Sequence, residues 1–384
     1  MLKKLVLLTS LCVSSVTFTT AVAATKIDLP SLQAWADQGV AEGQYQLAQW
    51  YEQDQSKANK QATDKKQAQA IEYYRKAAEQ GHVAAQYALG GKYDKGQGVE
   101  QNDALAFEYY LKAAQQDHSV AQYNVALMYS KGQGIAKNDR EAFAWYLRAA
   151  NLGLSYAQYN LALLYDTGEG VIQSDALAFA WYFKAASRGH TSAQYNLGVS
   201  YALGQGIKQS YADAMDWYLK AAEQDHAMAQ FNLGLLYQNG LGVQKSDAQA
   251  LYWYFKAANQ GHANAQNNLA MMYAKGQDLL QSDRQAFAWW HKAANQDHAG
   301  AQNNLAIMYE TGRGVAQDLV MAKQWYQKAA QAGDANAQFN LGQHYLNGSA
   351  AIPQNKSMAV MWIKKAAENG HARAKKVLAE LEPS

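Results

Sequence analysis

The residues best suited to acid–base or metal chemistry are the histidines. Seven of nine (His82, His118, His190, His226, His262, His298 and His371) recur at one spacing, each following a Gly or Asp. A metal centre needs ligands converging within about 2 Å of the ion, and histidines placed singly along a chain axis spread apart instead. Leu154 and Asp334 occupy the same position, which suits a residue that begins a helix better than a ligand. Gly96-Gln97-Gly98 and Gly132-Gln133-Gly134 are similar to phosphate-binding loops, but they follow helices and lack the third glycine. No Gly-x-Ser-x-Gly elbow, His-Glu-x-x-His pair or Ser-x-x-Lys motif occurs. These patterns predict no enzyme, no cofactor and no metal site.

A second recurrent pattern joins aromatic and amide residues. Tyr87, Tyr123, Tyr159, Tyr195, Phe231 and Phe339 share one position, interrupted by Asn267 and Asn303. Beside them stand Asn124, Asn160, Asn196, Asn232, Asn268, Asn304 and Asn340. A ladder of amides can donate to and accept from an extended backbone, and aromatic neighbours add contact area. That reading makes the stripe a protein-binding surface. The same residues could instead bridge adjacent helices.

The element that positions both patterns is an internal repeat. Ala121-Gln122-Tyr123-Asn124 returns as residues 157–160 and 193–196. Its anchor falls at Gly43, Ala85, Ala121, Ala157, Ala193, Ala229, Ala265, Ala301, Ala337 and Ala374, with spacings of 42, then 36 seven times, then 37. Each repeat reads as two helices. Ala85, Leu89, Lys92 and Tyr93 share one helical face. Gly96 ends that helix, and the next starts at Asn102. Its counterparts are Asn138, Ser174, Ser210, Ser246, Ser282, Asp318 and Asn355, all able to cap a helix N-terminus. Ala106, Tyr109, Tyr110, Ala113 and Ala114 form the second packing face, with pairs such as Trp181-Tyr182 and Trp289-Trp290 filling later repeats. A repeat that cannot bury its own face must stack on its neighbours. The expected fold is all-α: a right-handed α/α superhelical solenoid, one domain of about nine two-helix, 36-residue repeats with half-repeat caps.

Composition agrees. Only three prolines interrupt 384 residues, against an average of roughly 5%, while 28 glycines punctuate them and 49% of residues are hydrophobic. Lys3 and Lys4, apolar residues 5–16 and a small-residue site at 21–23 or 22–24 read as a secretory signal peptide. The run is too short and too interrupted by Thr and Ser to span a membrane. The only cysteine, Cys12, falls inside it after Leu11, which disfavours a lipid anchor and leaves the mature chain without a thiol. Removal of the leader also leaves 32 basic and 32 acidic residues, no basic field for a nucleic acid. The expected divisions are residues 1–24 as leader, 25–42 as an N-terminal capping segment, 43–373 as repeats and 374–384 as a capping helix. Two departures stand out: a polar loop at 52–66, six residues longer than its counterparts, and a turn at 276–280 without the usual second glycine.

The string Ala-Gln-Phe-Asn-Leu-Gly, Gly-x-Gly-Val and Ala-x-x-Trp-Tyr-x-Lys-Ala-Ala, read across residues 229–258, resembles the Sel-one-like repeat family, a relative of the tetratricopeptide solenoids. The resemblance implies an adaptor that holds other proteins together, with the Tyr/Asn stripe lining a concave groove. One secreted branch, linked to penicillin binding, carries a disulfide in each repeat, and this sequence lacks those cysteines. The reading is an exported, monomeric, periplasmic scaffold or regulator that binds a protein or peptide. The alternatives are an immunity protein against a periplasm-delivered toxin and, third, a wall-active or β-lactam-hydrolysing enzyme.

Overall fold

The computed structural model describes residues 28–53, 60–276 and 281–381. The expected leader and residues 277–280 of the second departure lie outside them. The described residues form twenty helices and no strand, in two compact units, residues 1–137 and 138–384.

In the first unit, α1 (Leu29–Asp37) starts at Asp28, whose side chain accepts from the Ser31 N–H, and carries Pro30 in its first turn. It packs Leu32 and Ala36 against Leu47 of α2 (Ala41–Gln53). Then follow α3 (Lys60–Glu79), α4 (Val83–Lys95), α5 (Asp103–Ala114) and α6 (Ser119–Lys131). The long polar stretch at 52–66 is therefore not all loop. Helix α2 runs to Gln53 and α3 already begins at Lys60, because Lys-Gln-Ala-Thr-Asp-Lys-Lys holds neither a glycine pair nor a proline to stop it. Residues 54–59 lie outside the described residues.

The second unit continues with α7 (Asp139–Asn151), α8 (Ser155–Thr167), α9 (Asp175–Ser187), α10 (Thr191–Leu203), α11 (Tyr211–Glu223), α12 (Ala227–Asn239) and α13 (Asp247–Asn259). It ends with α14 (Ala263–Lys275), α15 (Asp283–Ala294), α16 (Ala299–Thr311), α17 (Leu319–Gln331), α18 (Ala335–Asn347), α19 (Lys356–Glu368) and α20 (Ala372–Leu381). Even-numbered helices are the first of each repeat and odd-numbered ones the second. Within each unit every helix packs on the next, the α/α solenoid arrangement.

Capping sets the boundaries. All eight Asn, Ser and Asp residues expected to begin the second helices accept a backbone N–H there. First helices end on left-handed glycines such as Gly96, Gly204 and Gly312. The second turn glycine has a different task. A β-carbon on Gly206 would collide with the Asp175 carbonyl at the start of the preceding repeat's second helix, so only glycine lets those repeats close.

The core repeats as faithfully. Leu197, Leu233, Leu269, Leu305 and Leu341 are completely buried, and the paired alanines of the second helices are buried too. The glutamine of each Ala-Gln anchor is buried too. Gln194 Nε2 donates to the Ala186 carbonyl at 3.3 Å, and its Oε1 accepts from Gln224 at 2.8 Å. One amide thereby satisfies a helix-end carbonyl and ties one repeat to the next. Ala332 stands where Gln224 does, and there the Gln302 Oε1 is left buried without a partner.

Candidate protein-binding face

The recurrent histidines prove to be helix caps. In His82, His118, His190, His226, His262, His298 and His371, Nδ1 accepts the N–H three residues on, at 3.0–3.2 Å. Asp334 does the same with a carboxylate oxygen at 2.7 Å, while Leu154 makes no side-chain cap. An imidazole can accept at Nδ1 only when neutral. Burial pushes His118, His190, His226 and His262 below the usual imidazole range, which favours that form.

Every capping ring but His298 stacks on a ring of the preceding first helix. Tyr87 stacks on His118, Tyr159 on His190, Tyr195 on His226, Phe231 on His262 and Phe339 on His371, with centroids 4.3–4.7 Å apart. The neighbouring amides turn to the tyrosines. Asn124 lies beside Tyr110, Asn196 beside Tyr159 and Tyr182, Asn232 beside Tyr195 and Tyr218, and Asn268 beside Tyr254. Burial raises all these phenols, Tyr254 to about 12. Tyr123 and Asn160 are half-buried and also engaged. Where asparagine replaces the ring, Asn267 Oδ1 accepts from Trp290 Nε1 at 3.1 Å and Asn303 Oδ1 from Asn340 at the same distance. Asn303 is buried; Asn304 and the other stripe residues are half-buried. The stripe thus bridges repeats and still presents part of each side chain to solvent. It is a floor with edges rather than a row of free side chains.

In the second unit that floor opens into two grooves. One, of about 370 Å³, lies between α10 and α12 and is walled by Val199, Leu203, Leu235, Leu236 and Leu241. Leu203 is 63% exposed. The equivalent residue elsewhere is Gln53, Lys95, Lys131, Thr167, Asn239, Lys275, Thr311 or Asn347. Leu241 likewise replaces Gln97, Gln133, Glu169, Gln205, Gln277, Arg313 or Ser349. These two residues were invisible to a search for recurring chemistry; comparison among the repeats would have found them. Ala202 contributes by omission. Its counterparts Glu52, Asp166, Gln238 and Glu310 accept from Tyr74, Tyr182, Tyr254 and Tyr326, whereas Ala202 offers Tyr218 no oxygen and leaves the wall apolar.

The other groove, about 710 Å³, lies among α16, α18 and α20. Asn303, Asn304, Asn336 and Asn340 line it over Ile307 and Phe339, with Arg373 at one end. Beyond it, Glu310 accepts from Tyr326 at 2.6 Å and meets His344 at 3.2 Å, and these bonds hold its carboxyl below the usual range despite partial burial.

The second-helix face has a different character. Lys184, Lys220, Lys292 and Lys328 each lie 3.7–4.4 Å from the centre of a tryptophan ring three residues earlier, so these four cations are already committed to neighbouring aromatics. Among the described residues there is no metal-binding grouping of His, Cys, Asp or Glu, and no helix long and apolar enough to cross a membrane.

The Sel1 repeat model matches nine consecutive segments, residues 41–82, 83–118, 119–154, 155–190, 191–226, 227–262, 263–298, 299–334 and 335–371. The crystal structure of c5321, a protective antigen present in uropathogenic Escherichia coli strains and displaying an SLR fold, is 33% identical over 92% of this chain and 82% of that one, with a TM-score of 0.62. A Sel1 repeat protein from Oxalobacter formigenes is 32% identical over 82% of this chain and 89% of its own, with a TM-score of 0.66. No curated protein matches the chain.

Proposed function

The chain belongs to the Sel1-repeat family, and from that premise we propose that it is an exported scaffold of the bacterial envelope, periplasmic, which holds a protein partner against its first-helix face. Sel1-repeat proteins are generally protein-interaction scaffolds. What carries the reading to this face is the apolar groove between α10 and α12. A leucine 63% exposed, at a position that is polar in every other repeat, has no packing role to explain it. Exposed apolar surface rimmed by amides and hydroxyls is the usual character of an interface. The charged, apolar and small-residue order of residues 3–24 supports export.

A photo-crosslinking residue at position 203 tests the reading in cells exporting the full chain. A discrete protein adduct is expected there, and none from the same group at position 177, where the exposed Leu177 lies on a second helix. Equal adducts from both positions, or adducts from 177 alone, would overturn it. N-terminal sequencing of envelope-fraction protein should begin at Ala24 or Thr25. An intact Met1 there would remove the export step.

A further inference from the structure

The amide-lined groove among α16, α18 and α20 differs from every other interval on its face. Asn303 replaces the ring that seven repeats carry, and Asp334 replaces the capping imidazole, so no ring pair joins α16 to α18. Asn340 donates to Asn303. Asn304, Asn336 and Arg373 make no hydrogen bond or ion pair with another described residue. All three line a cavity of about 710 Å³, Asn336 and Arg373 exposed and Asn304 half-buried.

Arg373 is out of place by local rules. It is the second residue of α20, where the helix dipole disfavours a cation. The corresponding residues of the other first helices are Glu42, Ala84, Val120, Tyr156, Ser192, Met228, Asn264, Gly300 and Asn336, none of them basic. No carboxylate lines the groove. The two nearby in the repeat are committed, Asp334 to the Ala337 N–H and Glu310 to Tyr326 and His344. Lys375 and Lys376 extend the positive charge along α20. An unpaired guanidinium beside free amides, over an apolar floor of Ile307 and Phe339, is complementary to an anion carried on a peptide.

We propose that this groove binds a carboxylate on an extended peptide, with Arg373 pairing the carboxylate, Asn304 and Asn336 bonding the flanking backbone, and Ile307 with Phe339 receiving a neighbouring apolar side chain. The proposal rests on the first-helix face being the partner-binding face and names what one part of it takes. An aspartate or glutamate side chain and a chain terminus offer the same chemistry.

The probe is fluorescein-Ala-Ala-Phe-Asp-Glu-Asp, titrated by anisotropy with the full chain lacking only its leader. One arm amidates its C-terminus, and another replaces its acids with Asn and Gln. Saturable binding of the parent is expected, weakened about ten-fold or more by Arg373→Gln, reduced by Asn304→Ala with Asn336→Ala, and unchanged by Leu203→Lys. Arg373→Gln removes a cation from a helix N-terminus, so its melting temperature should not fall. Retention by the amide with loss in the Asn/Gln peptide assigns side-chain carboxylates; the converse assigns the terminus. Absence of saturable binding of all three peptides up to about 1 mM, or equal affinity in Arg373→Gln, overturns the proposal. The adduct at position 203 separates the two readings. If it survives in a protein that binds no peptide, the scaffold stands and the carboxylate site falls.

Discussion

Two grooves on one face of the second unit share three repeat positions, Tyr195 with Asn303, Val199 with Ile307 and Asn232 with Asn340, and come out opposite in character. Between α10 and α12, Leu203, Leu241 and Ala202 replace polar residues, and neither helix contains a charged side chain. Among α16, α18 and α20, Asn303 and Asp334 replace rings, and Arg373 brings a cation. Beneath both lie the same buried leucine, the same Ala-Gln anchor and the same second-helix alanines. Residues that keep the period maintain the stack, and those that break it give each stretch of surface its chemistry.

The largest expected effect tests the shared part. Leu233→Ala and Leu305→Ala remove side chains with no exposed surface and should each cost about 2–5 kcal/mol in urea unfolding. Near-equal losses sharpen the comparison. A loss at 233 well below that at 305 would mean that the apolar groove reflects loose packing beneath it, and the contrast would cease to be one of surface alone.

Much of this was legible in the chain. Side-chain capping needs one acceptor within three residues of the helix start, so Asn102 and its counterparts could be placed from spacing alone. The histidines were read as residues that begin a helix, and they cap there, although their pairing with the next ring depends on how far apart first helices stack, which one-dimensional periodicity does not contain. The same missing distance left the stripe undecided between bridge and surface, and Asn196, set beside Tyr159 and Tyr182 while half-exposed, is both. The anchor glutamine was seen only as a marker. That its amide reaches a helix-end carbonyl eight residues back follows from how one hairpin folds onto another. Leu203, Leu241 and Arg373 were overlooked because repeats draw attention to what recurs.

A smaller effect separates the two regions. Tyr326 is buried and its hydroxyl is held by Glu310; Tyr218 has no acidic partner at Ala202. Glu310→Ala should cost about 1–3 kcal/mol by orphaning that hydroxyl. Ala202→Glu should change stability by less than about 1 kcal/mol and abolish the adduct at position 203, because it sets a carboxylate in an apolar wall. If Ala202→Glu left the adduct intact, the lack of charge there would not govern binding.

The smallest effect concerns the caps. Helix α12 begins on a neutral imidazole, His226, and α18 on a carboxylate, Asp334. Burial holds His226 below its ordinary range. Protonation would remove the lone pair that accepts from the Ala229 N–H and place a charge in a half-buried site. The unfolded chain therefore binds the proton more readily. The contribution of the cap is complete above the unfolded histidine value of about 6.5 and is lost as pH falls from there toward the lower folded value. Each cap is worth about 1 kcal/mol, so melting temperature should decline between about pH 7 and pH 5. His226→Asp should lower stability at pH 7 slightly, through the lost stack on Tyr195, and flatten that decline. A decline just as steep in the variant would show that the acid sensitivity lies outside this cap, and the difference between the two regions would then be confined to their grooves.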